Sequence, residues 1–409
     1  MTILAVARDV LLALEIALAL PLAYLLALAV GAAIGTIRHS RSPRRKSNDQ
    51  QTMPASTFAI LVPAHNEELL IGKTLRSLAQ LDYPTDRYAI HVIADNCTDR
   101  TAEIAAAAGV HVHERTNATE HGKGHALAWA FDRLMHGDIH YDAYVVLDAD
   151  SVVDPALLTA LSRGLARGAL ALQSHNAVLN AAESATSALR WLALSLMNYI
   201  RPLGRNTWGG SSTLTGNGMC LTHEMLTRHP WQAFGLSEDY QYYLLAVASG
   251  EKVLFVPDAN VRSVMPTTAR QLQSQDIRWE SLNPDASSMQ RDIALRLLRE
   301  GIRYHSWIRL DALAELMTPP LSVLASSSAV LLIATIALGA PLQIVLAALL
   351  AGALFAYVCS AFVLLRPPWG VYRSMIHAPA YMSRKLWVYI VLRRLRKNTT
   401  TWVRTSRTV

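Results

Sequence analysis

The chain lacks what would make it a disulfide scaffold, a P-loop protein or a repeat array. Its 409 residues contain three cysteines. Cys97, Cys220 and Cys359 lie far apart, and the last falls inside an apolar run, so neither a disulfide framework nor a cysteine metal spacing follows. Gly122-Lys123-Gly124-His125 lacks the spacing and the Ser/Thr of a P-loop. No internal repeat is evident. Charge is also missing from long stretches: Ile16–Ile37, Pro320–Leu338 and Leu342–Leu365 contain no Asp, Glu, Lys or Arg. Each is close to the ~20 residues needed to cross hydrocarbon. Together they explain the hydrophobic content of 52% and the mean hydropathy of +0.21. Three transmembrane helices are expected. Arg8, Asp9 and Glu15 ahead of the first run, with no small-residue cleavage site behind it, argue against a cleaved signal peptide.

Acids are absent from residues 366–409, which hold ten Lys or Arg; with a net charge of +7, the rest of the chain carries 7 − 10 = −3. A second basic cluster, Arg38, Arg41, Arg44, Arg45 and Lys46, follows the first apolar run, whereas Gly339-Ala340-Pro341 is uncharged. The positive-inside bias places residues 38–315 and the tail in the cytoplasm, with the amino terminus and the 339–341 turn outside. A multi-pass protein of the cell membrane is expected. Because the basic residues hug the apolar runs, anionic membrane lipids rather than nucleic acid are the expected partner of a pI near 9.4.

Six tracts follow one another: a membrane helix in 1–37, a basic linker in 38–56, an α/β domain in 57–265, a segment with interface helices in 266–316, a membrane hairpin in 317–365 and a basic amphipathic tail in 366–409. In residues 57–265 short β-branched runs alternate with helical patterns, the signature of a mostly parallel sheet with covering helices. Strands are predicted at Phe58–Val62, Ile90–Ala94, Val110–His113, Ala143–Leu147, Ala169–Gln173 and Val253–Val256. Helices are predicted at Glu67–Gln80, Arg100–Ala108, Ala126–Leu134, Pro155–Leu165 and Glu238–Ala248. Asn66 and Ser237 read as N-caps, Gly109 and Gly250 as C′ glycines. Residues 184–203 and 286–316 are amphipathic and rich in Trp, Leu and Arg, suited to the membrane interface or to covering the domain.

Ligands of open α/β sheets sit beyond the carboxyl ends of strands. There the sequence places Pro63–Glu67, Asp95–Asp99, and Asp148-Ala149-Asp150. Two carboxylates just past a buried strand suit Mg²⁺ or Mn²⁺, which take one or two carboxylates and complete their shell from substrate phosphates. Ser237-Glu238-Asp239-Tyr240 opens a helix; the acids either complement its dipole or supply a general base, Asp239, supported by Glu238. Gln275 and Arg278 are phosphate donors, and Trp279 is a flat platform for a sugar face or an interfacial anchor. Lys123 is placed to reach a phosphate. The Thr215-Gly216-Asn217-Gly218 loop lets backbone approach a sugar closely, or forms a plain turn. His121 and His125 have no third ligand near them for zinc.

The order of these segments, Pro63–Glu67, Asp95–Asp99, Asp148–Asp150, Gly216–Gly218, Glu238-Asp239 and Gln275–Trp279, resembles family 2 glycosyltransferases, above all the membrane-embedded synthases of cellulose, hyaluronan, chitin oligosaccharide and poly-N-acetylglucosamine. The resemblance covers roughly residues 57–285, and Trp402-Val403-Arg404-Thr405 is similar to the family's terminal stretch. It implies a GT-A (Rossmann-like) α/β fold and an inverting single displacement from a nucleotide-sugar donor, UDP-linked by family habit. Ala64, Glu67 and Asp95 would hold the nucleoside, and Lys123, Gln275 and Arg278 the diphosphate. Asp148 would engage donor and metal and Asp150 the metal. Asp239 would be the base, and Trp279 with Gly216, Asn217 and Gly218 would meet the acceptor. Ser237 stands where the polymerases usually have Thr, and Asp276 and Glu280 add acids around the last motif. The leading expectation is a growing β-linked polysaccharide as acceptor, the protein being a monomer or a homo-oligomer. The alternative is a single addition to a membrane lipid; three membrane helices make a narrow wall for a polymer channel, which favours this alternative or an oligomer. A catalytically silent binding protein is disfavoured by the retention of Asp148, Asp150 and Asp239.

Overall fold

The computed structural model describes residues 3–41, 56–235, 237–268, 284–384 and Trp387. Gln275, Asp276, Arg278 and Trp279, and the terminal Trp402–Thr405 stretch, lie outside the described residues.

Eight strands form one sheet: β1 Phe58–Ala64, β2 Tyr88–Asp95, β3 His111–Arg115, β4 Ala143–Val146, β5 Ser151–Val153, β6 Ala171–Val178, β7 Met219–Thr222 and β8 Val253–Ser263. Their order is β3-β2-β1-β4-β7-β6-β8-β5. Strands β3, β2, β1 and β4 are mutually parallel, β7 is antiparallel to both neighbours, and β6 and β8 are again parallel. Phe58 to Val62 are fully buried, as a strand covered on both faces requires. On one face, α2 (Ile71–Leu78), α3 (Thr101–Ala107) and α5 (Leu157–Leu165) close over Phe58, Ile60 and Val62. On the other, α4 (Lys123–Met135), α8 (His223–Arg228) and α9 (Glu238–Ala248) close over Leu61, Tyr144 and Val146.

The predicted strands are present, and β6 and β8 run on well past their predicted ends. Strands β5 and β7, of three and four residues, were not anticipated, being too short to show a period. Asn66 does not cap α2. The helix starts at Ile71, and Asn66 instead turns the chain with φ 56°. Ser237 occupies the N-cap of α9 without a side-chain hydrogen bond. Gly109 and Gly250 do follow helices in the left-handed region, at φ 74° and 96°.

Among the described residues two helices are long and apolar enough to cross a membrane, α1 (Ile3–Arg41) and α13 (Pro341–Leu365). A third span exists only if α11 (Trp307–Met317) and α12 (Leu321–Ala337), bent by 65° at their junction, are taken together. At 1.5 Å per residue, the 39 residues of α1 reach about 58 Å, roughly twice the hydrocarbon thickness. Its second half therefore has another use. There α1 packs on α7 (Arg201–Thr207), which follows α6 (Ala185–Ser195) after a π turn. Trp208 Nε1 donates to Ala27 O at 2.8 Å, and Gly31, Gly35 and Gly204 allow the two helices to touch. Residues 184–203 thus cover the membrane helices directly: Ala188, Trp191 and Leu192 share a buried cluster with Leu22, Leu354 and Tyr357. Helix α10 (Pro284–Arg303) packs against α9 and α11 through Ile293 and Leu297.

A Cβ on Gly204 would run into the Leu28 carbonyl, backbone that cannot rotate away. Gly204→Ala is expected to destabilise the protein by ~1–3 kcal/mol, seen as a lower Tm in detergent. Gly352→Ala on α13, which meets nothing within 4 Å, is expected to be neutral or slightly stabilising.

Candidate active site

The carboxyl ends of β1 and β2 turn sharply at the same level, each through an asparagine with positive φ, Asn66 at 56° and Asn96 at 50°. Asparagine tolerates this conformation because its amide bonds nearby backbone. Asn66 Oδ1 accepts from Thr98 N at 2.7 Å, and Asn96 Oδ1 accepts from Asn117 N at 2.8 Å. Between the turns sit Ala64, almost fully buried, and Asp95, whose Oδ1 accepts from Arg115 Nη1 at 2.6 Å. Arg115 also reaches Glu120, so the floor of this end is charge-paired. The backbone of Glu67 is held by Thr101 Oγ1 at 2.8 Å. Ala64, Glu67 and Asp95 thus come from adjoining strand ends.

Lys123, in the first turn of α4 after Gly122 (φ 105°), reaches across to three other segments. Its Nζ donates to Asp148 Oδ1 at 2.6 Å and to Gly216 O at 2.9 Å, and lies 4.0 Å from Glu238 Oε1. A Cβ on Gly216 would stand 2.9 Å from Asp239 Oδ2 and 3.2 Å from Lys123 Nζ, so the glycine lets the loop close onto both. Asp148, Lys123, Gly216, Glu238 and Asp239 are one constellation. Asn217, 1% exposed, lies beneath it: Oδ1 accepts from Asp148 N and Ser151 Oγ, each at 3.1 Å, and Nδ2 donates to Ser263 Oγ at 3.0 Å. Gln173 Nε2 in turn donates to Asn217 O at 2.9 Å. Gly218 packs against Ser174 and Val261.

Burial first, then the neighbouring Asp239 charge, raises the Glu238 carboxyl to about 7 against the pull of Lys123. Burial likewise raises Asp239, and Lys123 again opposes it. A carboxylate lifted toward neutrality is a better proton acceptor at working pH. Among the described residues no group of three His, Cys, Asp or Glu is arranged to hold a metal. Asp148, its side chain 42% exposed, and Asp150 two residues on are hard oxygen donors that fit Mg²⁺ or Mn²⁺ only if phosphates and water complete the shell.

Gln173, Asn176, Ser263 and Arg115 were not read from the sequence. They lie within strands, where a polar residue is ordinarily a solvent-facing position, and only the tertiary fold turns them toward the site.

Lys123 holds the Glu238 pKa down, so its loss moves that pKa above about 7. Lys123→Met is expected to shift the acid limb of the pH–rate profile to higher pH and to lower kcat/KM by roughly 10²-fold or more. Lys123→Arg should retain the wild-type limb.

The sequence profile described as "Glycosyltransferase like family 2" matches residues 54–281. The chain is 27% identical over 231 residues to probable glycosyltransferase YdaM of Bacillus subtilis, covering 54% of each protein. It is 29% identical over 245 residues to beta-monoglucosyldiacylglycerol synthase of Synechocystis, covering 58% of this chain and 50% of that one. The chain thus spans about half the length of these relatives. In structure it is similar to mannosyltransferase PcManGT of Pyrobaculum calidifontis, solved with GDP-Man and Mn²⁺: TM-score 0.56, 16% identity, 95% of this chain and 100% of that one covered. The fold is GT-A, and the chain belongs to the family 2 glycosyltransferases.

Proposed function

We propose that the protein adds a single sugar, from a UDP-linked donor and with inversion, to a hydroxyl of a membrane lipid at the cytoplasmic face of the cell membrane. The observation that carries this reading is the Lys123–Asp148–Glu238–Asp239 constellation, held on a domain docked directly against membrane-length helices. Asp239 takes the proton of the acceptor hydroxyl, and Glu238 and Lys123 set its basicity. Asp148 and Asp150 would hold Mg²⁺ or Mn²⁺, which would supply positive charge beside the departing diphosphate. Ala64, Glu67 and Asp95 receive the nucleoside, and Lys123, with Gln275 and Arg278, the diphosphate. Trp279 and the Gly216–Gly218 backbone border the acceptor.

A lipid is preferred over the polysaccharide first expected. A relative is named for one glucose on diacylglycerol. Two or three membrane-length helices among the described residues also make a narrow wall for a polymer path.

Incubation of purified protein with radiolabelled UDP-sugars and vesicles containing diacylglycerol should give one sugar per lipid on product sizing; a ladder of longer products would overturn the single-addition reading. Asp239→Asn should lower kcat at least ~10²-fold, with wild-type turnover rejecting its role as base. Excess chelator should abolish transfer and Mn²⁺ or Mg²⁺ restore it; full activity in chelator would remove the metal role of Asp150.

A further inference from the structure

Asn217 stands between two glycines in the left-handed region, Gly216 at φ 71° and Gly218 at φ 75°, and its side chain is buried beneath the end of β4. The amide uses every hydrogen-bonding position it has. Oδ1 accepts from Asp148 N and from Ser151 Oγ, each at 3.1 Å. Nδ2 donates to Ser263 Oγ at 3.0 Å and to Asn176 Oδ1 at 3.4 Å. A single oxygen therefore brackets the Asp148-Ala149-Asp150 turn, holding the residue that opens it and the residue that follows it. The amide has one orientation, because a backbone N–H can only donate and so admits Oδ1, not Nδ2, at Asp148.

The rest of the turn is pinned as well. Ser151 N donates to Asp148 O at 3.1 Å, and Thr74 Oγ1 of α2 donates to Ala149 O at 2.7 Å. Thr74, Ser151, Gln173, Asn217 and Ser263 are all buried, so polar groups are spent where apolar packing would avoid their desolvation. A buried polar network of this kind, once complete, specifies one geometry. What it specifies here is the backbone from which both carboxylates leave, with Asp150 between the two bracketed residues. Mg²⁺ demands near-octahedral oxygens at about 2.0–2.1 Å, whereas Ca²⁺ accepts a looser shell at about 2.3–2.6 Å, so a rigid ligand backbone favours the smaller ion.

We infer that Asn217 is a positioning residue for the divalent ion: by bracketing the turn it holds the Asp148 and Asp150 carboxylates in register for a small ion, and so sets both the affinity of the site and its discrimination against Ca²⁺. The inference rests on the metal reading of Asp148 and Asp150. At the turn the bracket needs the side-chain oxygen and not its N–H groups. Aspartate in this place keeps it, with the Ser263 hydroxyl turning to donate to the second oxygen, and alanine removes it.

The test measures binding of Mg²⁺, Mn²⁺ and Ca²⁺ by calorimetry, and of Mn²⁺ also by its EPR spectrum, on the full-length protein in detergent with UDP. Wild type is compared with Asn217→Ala, Asn217→Asp and Ser151→Ala, and a cooperative melting transition verifies that each variant is folded. Asn217→Ala is expected to raise the Kd for Mg²⁺ and Mn²⁺ by ~10-fold or more, as loss of a group that orients a metal's ligands does. The Kd for Ca²⁺ should rise by less than about threefold, and Asn217→Asp should stay within about threefold of wild type for all three ions. If an Asn217 variant does not fold, Ser151→Ala, which removes one arm of the bracket, is expected to show the same loss of discrimination on a smaller scale. Unchanged Mg²⁺ and Mn²⁺ affinity in the folded variants, or an equal loss for all three ions, overturns the positioning role alone. Asn217→Asp binding as weakly as Asn217→Ala overturns it too. Wild-type protein that binds neither Mg²⁺ nor Mn²⁺, with UDP or with GDP, overturns the metal reading on which the inference rests.

Discussion

The buried Arg205–Asp311 ion pair is the contact on which the placement of everything else depends. It joins α7 to α11, recruits Tyr24 from α1 and Tyr243 from α9, and receives the Ser211 amide at 3.3 Å. Gly210 has no side chain because the Asp311 carboxylate occupies the space where its Cβ would stand. Pairs of this kind add little net stability over well-packed apolar groups, yet removing one partner leaves a buried charge and costs about 3–5 kcal/mol. Here the pair gives alignment. Helix α9 carries Glu238 and Asp239 at its start and Tyr243 one turn later, so the orientation of those acids is referred back through Arg205 and Asp311 to Tyr24 on the membrane-length helix α1.

A second constraint governs the reaction end of the sheet. Asp148, Glu238 and Asp239 crowd around the Lys123 ammonium. A nucleotide diphosphate adds further negative charge to a site already short of cations. A divalent ion resolves that imbalance on the proposed reading, and the raised Glu238 and Asp239 carboxyls resolve part of it by proton uptake. Lys123 cannot serve the phosphate and remain fully committed to Asp148, so donor entry must redistribute its bonds.

The sequence made the parallel half of the sheet readable because β1, β2 and β4 are runs of buried apolar residues ending in polar turns. The site was legible to the same extent: Asp95, Asp148 and Asp239 all stand where such a run or a helix begins or ends. What was not legible depends on distance along the chain. Arg205 and Asp311 were not singled out, and nothing local shows that 106 residues of separation vanish on folding. Asn217 read as a loop residue, although its amide braces the Asp148 turn from below. Asn66 read as a helix cap because asparagine favours both a cap and a left-handed turn, and only the observed start of α2 separates them. The apolar run at Ile16–Ile37 read as a span, and α1 is long and apolar enough to be one; what the run did not show is that its Ala27–Gly35 part also packs on α7.

The length of α1 carries a mechanical consequence. A straight helix relieves a mismatch with its bilayer by tilting. Here the far half of the rod is bolted to α7 along Ala27–Gly35, so any tilt is transmitted to the catalytic sheet as a rigid lever arm. Bilayer thickness then sets the height and pitch at which Asp239 stands over the surface. On the proposed reading, the reach of the site becomes a gauge of bilayer thickness.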